Sequence, residues 1–313
     1  MARLADLRRE WRWRRKRAQM YARSDVLIIS RTKSGRTWLR VMLSHLFHQQ
    51  YGIPERELVQ FDNFHRLECR IPRVHFTHDT IFMHHRPWGR VLRARPRQAL
   101  LFLVRDPRDV ALSYYLHLNH RASERELAHK AIPDLIRRQP PEAFVLNEAF
   151  GAPDIVRFFN KWWKEAEAFP RHLFIRYEDL RTECASELRR VCDLLDLPAS
   201  DAAIEQAVRF AAFDTMRERE RSGFFASERL GGVDQSDPDS YKVRQGQVGG
   251  YRQNLDGSCV AALNKIVRER LDPAFGYRGD EAVLVVEPAW RRAKRPCENT
   301  VPTDRDISTV GSH

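Results

Sequence analysis

Two stretches of this chain carry residue types that hold anions. In the first, the apolar run Asp25-Val26-Leu27-Ile28-Ile29-Ser30 leads into Arg31-Thr32-Lys33-Ser34-Gly35-Arg36-Thr37, and residues 38–47 continue with apolar side chains at helical spacing. A strand that ends in a glycine turn and opens a helix makes an anion site. The N–H groups of the first helical turn point at the ligand, and the helix dipole adds to them. Lys33 supplies a point charge, Ser34 and Thr37 supply hydroxyl donors, and Gly35 lets the backbone approach closely. The second stretch begins at Arg105, where the apolar run 99–104 ends. Ligands of open α/β sheets bind outside the carboxyl ends of the strands, and a guanidinium there can grip a phosphate with two hydrogen bonds. Asp106 and Asp109 could instead tie Arg105 into an ion pair. A base could come from the histidines at 75, 78, 84 and 85, since an imidazole takes a proton near neutral pH.

The loop is not that of the nucleoside triphosphatases, whose lysine follows the second glycine of GxxxxGK[ST]. Here Lys33 precedes Gly35, and no second carboxylate motif for Mg²⁺ stands out, which disfavours a small-molecule kinase. The five cysteines are scattered, without a CxxC pair, so neither a disulfide framework nor a zinc site is expected. No metal is expected elsewhere. The formal net charge of +12 attracts polyanions, which keeps open a non-enzymatic nucleic-acid or membrane binder. No window holds the roughly 18 apolar residues of a membrane span, and the charged start lacks a signal-peptide pattern. The expectation is a cytoplasmic protein.

The elements that must position these residues read as alternating strands and helices. Strands are expected at 25–30, 74–78, 99–104 and 172–177, and helices at 38–47, 110–118, 152–169, 184–197, 201–212 and 259–271. Short apolar runs without alternation are those of buried parallel strands. The fold class is therefore α/β: a single P-loop-like domain over 24–280, with a mostly parallel central sheet flanked by helices on both faces. Residues 1–23 read as a basic amphipathic helix that packs on the body or touches an anionic membrane surface. Residues 220–255 read as a long irregular segment, and 281–313 as a disordered tail.

Thr32-Lys33-Ser34-Gly35-Arg36-Thr37-Trp38 resembles the PKSGTTW loop of the sulfotransferases that use 3′-phosphoadenosine 5′-phosphosulfate (PAPS). Arg105-Asp106-Pro107-Arg108-Asp109, continued through Ser113 and Tyr115, resembles that family's RxPxDxxxSxY motif. The resemblance implies that residues 32–38 hold the 5′-phosphosulfate, and that Arg105 and Ser113 hold the 3′-phosphate. Trp38, Tyr177 (in a YEDL segment) and Phe213 (in a segment like SFDxM) are then expected around the adenine, with core packing the alternative for each. Arg244, Gln245 and Gly246 stand where the family has RKG, and are expected at the 3′-phosphate. Thr32 replaces a proline and Arg36 a threonine.

Pro72-Arg73-Val74-His75-Phe76-Thr77-His78 resembles the family's PRxxKTH, whose last histidine is the general base. That role falls on His78, with Lys33 at the leaving oxygen and Ser113 beside it. Phe76 replaces a family lysine, so Arg36 or another cation must supply the missing charge. The resemblance implies transfer of a sulfuryl group from PAPS to a hydroxyl or amine, with PAP released. It leaves the acceptor open among small molecules, lipids and glycans, and implies no specific nucleic acid. Phe61, Phe64, Trp88, Phe144, Phe150, Phe224 and Phe225 could line an acceptor pocket or belong to the core.

Overall fold

The computed structural model describes residues 19–61, 64–78, 98–124, 126–127, 132–225, 227, 230 and 246–279. Four short strands form one sheet: β1 (Val26–Ser30), β2 (Val74–Thr77), β3 (Ala99–Val104) and β4 (Arg171–Arg176). All pairings are parallel, and the order across the sheet is β2-β1-β3-β4. Val26 pairs with both Val74 and Ala99, so the three strands end at nearly one level.

The helices come in sequence as α1 (Arg36–Tyr51), α2 (Pro107–His120), α3 (Ala152–Ala166), α4 (Tyr177–Thr182), α5 (Cys184–Leu194), α6 (Asp201–Phe210), α7 (Phe213–Arg221), α8 (Tyr251–Asn254) and α9 (Gly257–Arg270). Shorter turns, such as Pro141–Val145, lie between them. Successive strand residues point to opposite faces, and each face has its own core. Leu27, Ile29, Leu100, Phe102 and Val104 pack with α2, α3 and α9. Val26, Ile28, Leu101, Leu103 and Ile175 pack with α1, α5 and α6. Burial of both faces explains why these strands read as unbroken apolar runs.

The connection after β1 goes to one face through α1, and the connection after β3 goes to the other through α2. Neighbouring strands whose connections diverge in this way leave a crevice at their carboxyl ends, the place where such sheets take ligands. Both anion-type motifs lie at this crevice. The expected elements are present, with ends displaced by a few residues. Residues 19–23 are helical, and the rest of the expected basic helix lies outside the described residues. Phe61, Phe64, Phe144 and Phe225 are buried in the two cores. Phe150 is half-buried, Phe224 is 41% exposed, and Trp88 lies outside the described residues.

Candidate active site

The first loop turns through two residues in the left-handed region, Lys33 at φ 76° and Gly35 at φ 91°. Such turns curl backbone N–H groups toward one concavity. Gly35 is the N-cap of α1 and has no side chain to cap it, and the first turn carries no acidic residue. The N–H groups of Trp38 and Leu39 bond to the Gly35 carbonyl at 2.9 and 3.3 Å. Those of Arg36 and Thr37 come earlier, in the turn that has no intrahelical acceptor. Ser34 is fully buried, and its Oγ has no hydrogen-bond partner. A buried, unpaired hydroxyl is uncommon and calls for an explanation. Thr32, Arg36 and Thr37 are half-buried around the same turn. Arg31 is turned away from it, in an ion pair with the buried Asp154 at the start of α3.

Arg105 follows β3. Its Nη1 donates to the Lys33 carbonyl at 3.3 Å and its Nη2 to the Gln247 carbonyl at 2.8 Å. Nη2 also lies 3.6 Å from Asp109 Oδ2, while Asp106 pairs with Arg108 at 2.8 Å. Of the two carboxylates that could have tied up Arg105, Asp109 is thus the one that reaches it. The guanidinium also lies 4.6 Å from the centroid of the Tyr177 ring, and its Nε is buried without a partner. Asp106 caps α2 by accepting from the Arg108 N–H, and Pro107 occupies the first turn, where its missing N–H is harmless. Ser113 is half-buried on α2, one helical turn beyond Asp109 and on the same face.

The aromatic residues converge between the two loops. Tyr177 packs on Gly35 so closely that a Cβ at 35 would lie 2.5 Å from Tyr177 Cδ2. Trp38 meets Tyr177 edge-on, with 5.9 Å between centroids, and its indole N–H donates to the Ala211 carbonyl at 2.7 Å. A Cβ at Gly246 would lie 3.0 Å from Phe213 Cδ2. Trp38, Tyr177, Phe213 and Gly246 are therefore brought to one side of the crevice, while Arg244 and Gln245 lie outside the described residues. Burial raises the Tyr177 pKa, against the pull of Arg105 and Arg181.

Two residues here make contacts that sequence reasoning did not assign. Arg181 holds its guanidinium 5.8 Å from the Trp38 ring, with Nη1 3.6 Å from where a Cβ of Gly246 would stand. Its spacing of four from Tyr177 on a helix was the available signal. Asp109 is buried and accepts from the Gly249 N–H at 2.8 Å and the Tyr251 N–H at 3.1 Å. Burial raises its pKa, opposed by Arg105 and these two amides.

His78 stands just past β2. Its Nδ1 lies 2.8 Å from the carbonyl oxygen of Ser30, the last residue of β1. A carbonyl only accepts, so Nδ1 carries a proton in this contact. The ring of Phe76 lies 4.1 Å under the Arg40 guanidinium and 4.7 Å from Phe61. Among the described residues, no group of three or more His, Cys, Asp or Glu could hold a metal ion, and no helix is long and apolar enough to cross a membrane.

Known proteins match most of this chain. Cytosolic sulfotransferase 13 of Arabidopsis thaliana is 24% identical over 260 residues, covering 79% of this chain and 77% of that protein. Sulfotransferase 1E1 of Bos taurus is 23% identical over 260 residues, covering 77% and 80%. Among solved structures, mouse sulfotransferase SULT7A1 complexed with PAP superposes with a TM-score of 0.55 at 18% identity, covering 82% of this chain and 86% of that one. Retinol dehydratase in complex with androsterone and PAP gives 0.55 at 16% identity, covering 83% and 82%. These superpositions show a shared fold. The model of the sulfotransferase domain matches residues 23–274, so the loops at 32–38 and 105–113 lie within a domain of known type, and the chain belongs to the sulfotransferase family.

Proposed function

We propose that this chain catalyses PAPS-dependent sulfuryl transfer to the hydroxyl or amine of a small-molecule acceptor, with His78 as the general base. Family membership and the PAP-bound neighbours of the same fold support the donor. The local features fit it as well. The buried Ser34 hydroxyl lacks a partner that a phosphosulfate oxygen would provide. Gly35 and Tyr177 shape a cradle that a Cβ would fill. Arg105, at the neighbouring strand end, suits a second anionic group.

When bound, PAPS supplies a sulfuryl group on a phosphate leaving group. The protein's tasks are those of a loose, charge-separating displacement: alignment, neutralisation of the leaving oxygen and removal of one proton. Lys33 and the first-turn N–H groups of α1 neutralise the leaving oxygen. Thr32, Ser34, Arg36 and Thr37 hold the same end. Arg105, Ser113 and Gly246 hold the 3′-phosphate. Trp38, Tyr177 and Phe213 bound the adenine, with Arg181 at its edge. His78 takes the acceptor proton at Nε2.

The observation that carries the base assignment is the bond from His78 Nδ1 to Ser30, which fixes the imidazole at the lip of the phosphate loop. General bases contribute about 10²–10⁴-fold. His78→Ala should lower kcat by at least about 10²-fold and leave PAP affinity within about threefold of wild type. Turnover measured with labelled PAPS, alongside calorimetric PAP binding, checks this. An unchanged kcat would move the base elsewhere.

A further inference from the structure

Asp109 lies in the first turn of α2 and is remote in sequence from the turn it holds. Its side chain is 2% exposed. Burying a carboxylate is unfavourable unless donors surround it, and three do. The Gly249 and Tyr251 amides donate to its two oxygens at 2.8 and 3.1 Å, and Arg105 Nη2 stands 3.6 Å away. Gly250 lies against it too, since a Cβ there would be 3.8 Å from Oδ1. The same Arg105 nitrogen donates to the Gln247 carbonyl, and its other nitrogen reaches back to Lys33. One carboxylate–guanidinium pair thus joins the phosphate loop, the start of α2 and the turn 246–251.

The backbone of that turn needs such a hold. Gly246 and Gly249 both sit in the left-handed region, at φ 60° and 76°. The short helix α8 starts without a side-chain cap of its own. The Tyr251 amide at its start is satisfied by Asp109 instead. A helix-start carboxylate with only a local task would accept from its own first turn, as Asp106 does. Asp109 accepts from the distant turn.

We propose that Asp109 is a positioning residue for 3′-phosphate recognition: it sets the plane of Arg105 and seats the 246–251 turn beside it, and so governs discrimination between 3′-phosphorylated and unphosphorylated nucleotides. This rests on the reading of the crevice as a PAPS site. Asp109 itself touches no nucleotide. An anion at Asp109 would repel a phosphate, and its charge is compensated by Arg105 and the two amides.

The test compares PAP with adenosine 5′-phosphate, which lacks only the 3′-phosphate, by calorimetry on the full chain. Asp109→Asn should weaken PAP tenfold or more and adenosine 5′-phosphate less than threefold. The Asp109→Asn/Arg105→Ala double variant should bind PAP no worse than Arg105→Ala alone, because the two act as one unit. Equal losses for both nucleotides, or losses that multiply in the double variant, overturn the inference and leave the nucleotide site standing. A wild-type protein that binds PAP no better than adenosine 5′-phosphate removes the PAPS reading and this inference with it. Hydrogen exchange on the wild type needs no variant to fold: the Gly249 and Tyr251 amides should exchange at least tenfold more slowly than the Val248 amide. Equal rates would contradict the hold.

Discussion

At the scale of single residues, Gly35 shows how tightly the site is specified. Its φ of 91° disfavours any side chain, and a Cβ would stand 2.5 Å from Tyr177 Cδ2. An alanine there carries the left-handed penalty of about 1–2 kcal/mol and must also displace a buried ring. Gly35→Ala should weaken PAP binding by at least about tenfold, the equivalent of roughly 1.4 kcal/mol. Calorimetry checks this, and wild-type affinity would show that the loop has room to spare. Positions set by local spacing were legible in the sequence: the Lys33–Thr37 turn between β1 and α1, Arg105 at the end of β3, and His78 just past β2. Roles set by distant contacts were not. Tyr177, expected at the adenine, wedges between Gly35 and Arg105. Asp109 read as a local ion-pair partner, because nothing nearby in the chain announces amides at 249 and 251.

At the scale of elements, unbroken apolar runs made the strands readable, and their burial on both faces is the reason. The strand order was not readable, since it depends on which face each connecting helix covers. The helix α8 falls in a segment that read as irregular, for it is held from outside by Asp109. Packing between α1 and α6 carries a pH signature. His45 stacks on Phe210 with centroids 4.1 Å apart. Burial, then His48 and Arg219, pull its pKa from 6.5 down to about 4. Below pH 6.5 the unfolded chain takes up this proton before the folded one does. The associated stability is therefore complete above pH 6.5 and is lost as pH falls toward 4. Since the ring is partly exposed, the loss should be discounted to about 1 kcal/mol. Thermal melts between pH 7 and 4.5 should fall less steeply for His45→Phe, which keeps the stack. Parallel curves would contradict the assignment.

At the scale of the whole molecule, the sheet brings the strand ends that carry the 32–38 and 105–113 motifs side by side, at the point where its connections diverge. Arg105 bonds to Lys33 across that point, so the two loops share a wall. The net charge of +12 adds a long-range attraction for a ligand with anionic groups at both ends. The central claim is that a single nucleotide spans both loops. A crystal structure of the PAP complex tests it most directly. The account predicts the 5′-phosphate against the backbone of residues 34–37 and the 3′-phosphate within hydrogen-bonding distance of Arg105. PAP bound away from either loop, or with its two phosphates exchanged, would contradict it.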